Sequence, residues 1–446
     1  MVLFASLTVF VSSLFRYTII YMEPVTFLRT KKIEALQALY TRPFEKRDQL
    51  EIWKGAGTIL PSIDHRNRPM GNKGGVVDVH GEFVPLSAIN DECAAYPVGK
   101  CEESDKCAVY CGYFPMHWGH FLTEVICRLW YALEHDEEVD EYVFTVRPGF
   151  EQRMHPNMKA FFRALGILDK VVLTSQPKAY REIVVPEMCF RQGEYYSEGF
   201  MGMYDKVAEN LLKEVDSSDL VPAEKIYLSR SSFKKKGAKI EINTQLLDHF
   251  FQKNGYKIVH PETLSLAELT WLLHHAKECV APSGTICHNI LFAPKTISWV
   301  IMEREAWLNP YQVNINQMRD CPVTYVDANH GLYPVEMGFG PYLMAYTSYF
   351  DQFAASRGYQ KPDEEYMSES YVKKGFAEYM KTYKEQSGYQ WLMRGMEPCA
   401  DYLYESYEES AELFGLYLRR EAPFLPQHYL SPHYWRKMLG RLRRRF

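Results

Sequence analysis

Between residues 226 and 305 the apolar positions switch repeatedly between a period of two and a period near 3.6. Ile226–Leu228 is a short apolar run ending at Ser229-Arg230, which predicts a strand. From Thr244 to Lys253, Leu246, Leu247, Phe250 and Phe251 return on one helical face, and Asn254-Gly255 supplies the stop. Tyr256–Val259 predicts the next strand. Ser265, with Glu268 three residues on, has the form of a capping box for a helix through Lys277. Cys279–Ala281 predicts a third strand, Pro282-Ser283-Gly284-Thr285 a tight turn opening a helix over His288–Phe292, and Thr296–Ile301 a fourth strand. Such alternation across short loops predicts a parallel sheet with helices on both faces. Sheets of that kind bind ligands at the carboxyl ends of their strands, where Arg230, Glu262, Ser283, Gly284 and Thr285 fall.

Upstream, Glu51–Leu60, Gly74–Val79 and Glu82–Leu86 predict short strands. Tyr110–Pro115 leads into a helix over His117–His135, with Phe121, Leu122, Val125, Leu129 and Trp130 as its apolar stripe. Glu141–Val146, Val171–Leu173 and Ile183–Val185 predict strands and His155–Gly166 a helix. Together these predict one α/β domain over 45–215 and a second over 222–330, joined by the polar Asp216-Ser217-Ser218-Asp219 stretch and Pro222. Residues 331–446 then form an extension with helical patterns at Asp363–Glu385 and Ala400–Arg420.

A chain of 446 residues suits two domains plus an extension, and 47% apolar with 24% charged residues is the balance of a soluble globular protein. A net charge of −5 argues against nucleic acid as the main partner. The 15% aromatic content, with 32 tyrosines, fits either sugar-stacking platforms or a biased composition. The ten cysteines include no Cys-x-x-Cys pair, and Cys93, Cys101, Cys107 and Cys111 fit no zinc spacing, so reduced thiols and a cytoplasmic location are expected. Residues 1–22 are apolar apart from Arg16: either a membrane segment or a stretch ahead of a true start at Met22. The run Tyr434–Phe446 carries six basic residues and no acid. It reads as an interfacial segment drawn to anionic lipid, at about 1 kcal/mol per basic residue, which would hold the protein peripherally at the inner face of the membrane.

Five of these features, in this order, resemble glycosyltransferase family 61 (DUF563-type), whose members include capsular polysaccharide enzymes. Gly119-His120-Phe121-Leu122-Thr123-Glu124 with Arg128 is similar to that family's His-x-x-x-Asp/Glu helix start. Ser229-Arg230 matches its Ser-Arg strand end, Lys239 and Asn243 its Arg four residues before Asn-Glu, and Gly255 to Glu262 its hydrophobic strand ending in Pro-Glu. Gly284-Thr285 to Asn289 and Phe292 matches its Gly-Ala-x-x-x-Asn-x-x-Phe turn-helix. The resemblance covers roughly residues 110–305. Lys239 stands where Arg is usual, keeping the charge but losing the bidentate fork; Thr244 replaces the Glu of Asn-Glu, and Ser283 stands where His often precedes the Gly. The resemblance implies a GT-B-like pair of Rossmann-like domains facing across a cleft. It also implies an inverting, metal-independent sugar transfer from a nucleotide sugar to a polysaccharide or lipid-linked glycan acceptor.

Inversion needs one base to take the proton from the acceptor hydroxyl. On a continuous helix, His117, His120, Glu124 and Arg128 share one face at spacings of three, four and four. Glu124 is then the leading base, since the family's acid sits four residues after this His. His120 is the alternative base or the group that holds the acid. The bland reading is a surface network pairing Glu124 with Arg128, with the histidines capping the helix. The departing diphosphate needs positive charge and free N–H groups. Ser283-Gly284-Thr285 before a helix offers the N–H groups; Ser229-Arg230 and the Lys234–Lys239 loop, including Lys235, offer the charge. Glu262 either accepts bonds from a ribose or sugar hydroxyl or caps the next helix, and Asn289 either holds the turn or touches the donor. His274-His275 read as structural. No Asp-x-Asp stands beside a strand end, so no metal is expected and the nucleotide sugar serves as co-substrate. The rival readings are a polysaccharide pyruvyl transferase-like enzyme and a non-catalytic glycan-binding or assembly protein.

Overall fold

The computed structural model describes residues 23–386 apart from 48, 64–72, 89–94, 98, 234–239, 306 and 331–340. The apolar segment 1–22, Lys235, Lys239, Cys93, the 400–420 helix and the basic tail therefore lie outside the described residues. Among the described residues no helix is long and apolar enough to cross a membrane.

Long apolar runs dictate the sheet of the second half. Its six strands are all parallel, in the order Lys257–Val259, Lys225–Leu228, Glu278–Pro282, Ser298–Glu303, Val323–Asp327 and Val25–Phe27. Ile226, Tyr227, Leu228, Val280, Val300 and Ile301 are fully buried, as expected for a sheet covered on both faces. Four of these strands are those predicted from the pattern. Val323–Asp327 and Val25–Phe27 were not foreseen, and the latter brings the start of the described chain onto the outer edge of this sheet. The Thr244–Lys253 helix has its predicted bounds, and the Leu266–His275 helix carries the predicted capping box: Glu268 N–H to Ser265 Oγ at 3.2 Å and Ser265 N–H to Glu268 Oε2 at 2.7 Å.

The sheet of the first half is mixed. Its order is Lys73–Asp78, Ile52–Ile63, Lys178–Pro186, Glu102–Tyr113, Glu141–Thr145 and Val171–Thr174, with Ile52–Ile63 antiparallel to both neighbours and the rest parallel. The predicted strand at 82–86 is instead one bridge, Val77 to Phe83, followed by a 3-10 turn at Pro85–Ser87, because Pro85 has no N–H to give a ladder. The Pro156–Leu165 helix is capped as its sequence suggests, by His155 accepting from Asn157 N–H and by left-handed Gly166. An unforeseen helix, Glu198–Glu214, lies over the same core.

The two halves share one apolar core. It runs from Phe114, Phe121 and Phe161 through Tyr204 to Phe292, Leu269 and Trp299. Phe161 meets Phe292 edge-on at 6.2 Å and Tyr204 meets it at 5.2 Å, so rings from both halves interlock. Each fully buried aromatic contributes about 1.5–3 kcal/mol. The long C-terminal helix Glu369–Gln386 lies with the second half over its described length. It packs on the small Glu241–Ile242 and Tyr342–Leu343 sheet, and an added Cβ at Gly375 would stand 2.3 Å from Asn243 Nδ2.

Candidate active site

The predicted continuous helix at 117–135 is broken. Its α-helical part is Trp118–Thr123, with His117 as the extended residue before it. Glu124 has φ −129° and ψ −47°, outside the helical region, and a 3-10 run Val125–Tyr131 follows. The break has a packing cause: Val125, Ile126, Cys127 and Leu129 are all buried, so apolar positions surround this segment instead of striping it. His120 and Glu124 remain together, Nδ1 to Oε1 at 2.9 Å, with side chains 53% and 38% exposed. The His117 and His120 rings lie edge-on at 4.9 Å. Arg128 leaves the group. It is buried, its Nη2 donating to the carbonyls of Leu86 at 2.9 Å and Ala88 at 3.2 Å, with its guanidinium 5.5 Å above the Tyr110 ring. Both the shared face through 128 and the Glu124–Arg128 pairing are therefore corrected: changing from 3.6 to 3.0 residues per turn rotates Arg128 inward.

At the strand ends of the second half, Gly284 has φ +115°, which a side chain would strain, and a Cβ there would fall 2.2 Å from Arg304 Nη2. The glycine thus admits a guanidinium of its own chain. Arg304 is 7% exposed, lies over the Tyr342 ring at 4.2 Å and pairs with Glu241. Arg230 Nε bonds the same Glu241 Oε1 at 2.5 Å. Two guanidiniums therefore share the Glu241 carboxylate beside the 283–285 turn, and Glu305 stands 4.0 Å from Arg304 Nε as a second carboxylate. Buried Ser283 accepts from Arg304 N–H at 3.2 Å, and Gly284, as the cap residue, has no side chain to bond the turn that follows. The predicted helix at 288–292 is a 3-10 run over Thr285–Phe292.

The remaining predicted residues have mostly structural partners. Ser229, fully buried, donates to Asp248 at 2.5 Å. Asn243 is left-handed at φ 64° and makes no capping bond. Glu262 sits in a 3-10 turn, 4.0 Å from His260 Nδ1, while the cap of the next helix belongs to Ser265 and Glu268. Asn289 donates to the Ile286 carbonyl at 2.9 Å, holding the turn. His274 bonds the Phe292 carbonyl at 2.9 Å and is structural.

Residues 117–124 and 284–289 meet directly. Trp118 Nε1 donates to Asn289 Oδ1 at 3.2 Å, and its ring lies parallel to Phe292 and Phe121. A Cβ on Gly119 would stand 2.8 Å from Thr285 Oγ1. The Glu124 carboxylate faces Tyr311, whose phenol is raised far above its ordinary pKa by burial and then by that carboxylate. Buried His288 lies near His120 and is held neutral, its pKa lowered to about 4 chiefly by burial. Glu303, at the end of its strand, is pushed up to about 8 by burial, which Lys32 opposes and Asp327 and Glu305 reinforce. Sequence reading missed Arg304, Glu241, Glu303, His288 and Tyr311. The strand was ended at Ile301, although its apolar run continues to Met302 and carries Glu303-Arg304 straight into the strand-end site.

A parallel sheet with an arginine-lined glycine turn at its strand ends, joined to an exposed imidazole–carboxylate pair, defines an α/β group-transfer enzyme. The family model described as glycosyltransferase 61 matches residues 118–300, which include the His120–Glu124 pair and the Gly284 turn. That stretch is similar to a glycosyltransferase 61 domain, which supports a glycosyltransferase activity for the protein. No curated protein matches the chain.

Proposed function

We propose that the protein transfers a sugar, with inversion, from a nucleotide sugar to a hydroxyl of a polysaccharide or lipid-linked glycan. The observation that carries this reading is the exposed His120–Glu124 pair, bonded at 2.9 Å, on a segment packed against the Gly284 turn. Glu124 holds the imidazole through Nδ1, and Nε2 receives the proton. The acceptor oxygen attacks the anomeric carbon, its proton passes to His120, and the bond to the donor diphosphate breaks. Arg304 and Arg230 stabilise the departing charge together with N–H groups of the 284–286 turn, so side chains supply the neutralisation. Asn289 holds the turn through the Ile286 carbonyl, Ser229, Asn243, Lys235 and Lys239 are assigned to the donor side, and Glu262 meets a donor hydroxyl.

In this reading the two sheets act as the acceptor half (45–215) and donor half (222–330) of a GT-B-like enzyme, and the basic 434–446 segment holds it at an anionic membrane surface. Capsular or related cell-surface polysaccharide synthesis is the setting this acceptor class implies. The test is a thermal-shift screen against UDP, GDP, CMP and their sugar conjugates without added metal. A binder at 100 times its Kd adds about 2.7 kcal/mol. Stabilisation by one nucleotide class, with release of its diphosphate from the conjugate, is expected. No stabilisation by any of them would overturn the donor assignment.

A further inference from the structure

We infer that His288 binds a neutral sugar hydroxyl through Nε2, which a buried chain of amides holds as a hydrogen-bond acceptor beside the transfer site. This rests on the reading of that site as a sugar-transfer centre.

His288 is 4% exposed and stands on the Thr285–Phe292 run, between Thr285, which abuts Gly119, and Asn289, which bonds Trp118. Its Nδ1 lies 2.8 Å from Gln312 Oε1, an oxygen without a proton, so Nδ1 carries the hydrogen. Gln312 Nε2 donates to Asn316 Oδ1 at 2.7 Å, and Asn316 Nδ2 donates to Tyr325 Oη at 2.8 Å. Gln312, Asn316 and Tyr325 are themselves at most 3% exposed. The Tyr325 hydroxyl is thereby left to donate onward, and the Tyr40 hydroxyl is its neighbour. Every link points the same way. With Nδ1 protonated and the ring neutral, Nε2 offers a lone pair.

Nε2 has no partner among the described residues and is not one of the sealed orphan atoms of the interior. Nε2 is therefore open to solvent, and a ligand hydroxyl can donate to its lone pair in place of water. The neutrality of the ring selects the ligand. A phosphate or uronate oxygen would find no proton at Nε2 and would be repelled by its lone pair, whereas an O–H donor fits. Arg304 and Arg230 hold the charged end of the donor in the preceding reading, so His288 falls to the sugar.

Turning both amides over would reverse every link and make Nε2 a donor, so the tautomer is the measurement that decides. Long-range proton–nitrogen NMR on the full-length protein with labelled histidine, assigned with His288→Gln, should show Nδ1 protonated and Nε2 bare from pH 5 to 8. Gln312→Met should release that preference. A protonated Nε2, or titration near the ordinary value of 6.5, would overturn the inference. Kinetics supply a second readout: His288→Leu should lower turnover of UDP-glucose or UDP-N-acetylglucosamine about 10-fold or more, while Kd for free UDP stays unchanged. Equal losses for UDP and its sugars would mean that His288 only holds the fold. If the wild-type protein binds neither UDP nor these sugars, the UDP-donor assignment fails while the NMR result still decides the state of His288.

Discussion

The two sides of the site are built in opposite ways. On the first half, His120 and Glu124 stand in solvent, 53% and 38% exposed, on a helix only six residues long. On the second half, Arg304 and Glu241 are all but sealed, with side chains 7% and 4% exposed, at the ends of buried parallel strands. An exposed pair contributes little to stability, about 0–1 kcal/mol, so selection on folding alone would not hold it. Removing one partner of a buried pair costs about 3–5 kcal/mol. The exposed side is therefore free to serve chemistry, whereas the buried side combines binding with structure, and substitutions should separate the two.

The largest effect is expected where function and stability part. His120→Ala should reduce transfer roughly 10²- to 10⁴-fold, the span of general-base removal, with a melting temperature close to that of the wild type. Glu124→Gln should fall short of that loss and distort the pH profile, because the amide still holds the ring but cannot balance an imidazolium. A wild-type rate for His120→Ala would place the proton acceptor elsewhere. Glu241→Ala should behave in the reverse manner. It leaves two guanidiniums without their shared carboxylate and should destabilise the protein by about 3–5 kcal/mol in denaturant titration. A change below about 1 kcal/mol would mean that solvent already relieves the cluster.

The same contrast explains what could be read from the sequence. The strands of the second half were legible because sheets buried on both faces give unbroken apolar runs, and the Leu266–His275 helix because its capping box is local. His120 and Glu124 were legible as an i,i+4 pair, and one short helical turn keeps them together. Arg128 was misread because a buried segment has no stripe to mark where 3.6 residues per turn gives way to 3.0. Ser283-Gly284-Thr285 was legible as a turn offering N–H groups, but Arg304, twenty residues away, packs against Gly284, and spacing within one turn cannot reveal it. His288 and Glu303 lay hidden because their state depends on burial and on partners in other strands and helices.

Burial at the strand ends should also give stability a pH dependence. Glu303 has a folded pKa of about 8 against 4.5 for the free side chain, so the folded state binds the extra proton between those values. Its contribution is fully present below about pH 4.5 and is lost as pH rises through about 8. His288, lowered to about 4 from 6.5, works in the other direction, adding stability as pH rises from 4 to 6.5 and none above. Between pH 6.5 and 8 the Glu303 slope remains after that of His288 has ended. Glu303→Gln should flatten the melting temperature in that window relative to wild type. An unchanged slope would place the titration on another group.

The smallest expected effect concerns the seam where the two sides meet. Trp118 Nε1 donates to Asn289 Oδ1 across it, and the indole lies parallel to Phe292 from the other half. Trp118→Phe keeps a ring in the stack and removes the hydrogen bond, a loss of about 1 kcal/mol in stability. If the seam only joins the halves, turnover should be unaffected apart from that loss. If it also sets the distance from His120 to the Gly284 turn, turnover should drop further than 1 kcal/mol accounts for, while affinity for the free nucleotide holds. Misplacement of reacting groups by about 1 Å costs on the order of 10²-fold, so kinetics would register a shift too small for a melting curve.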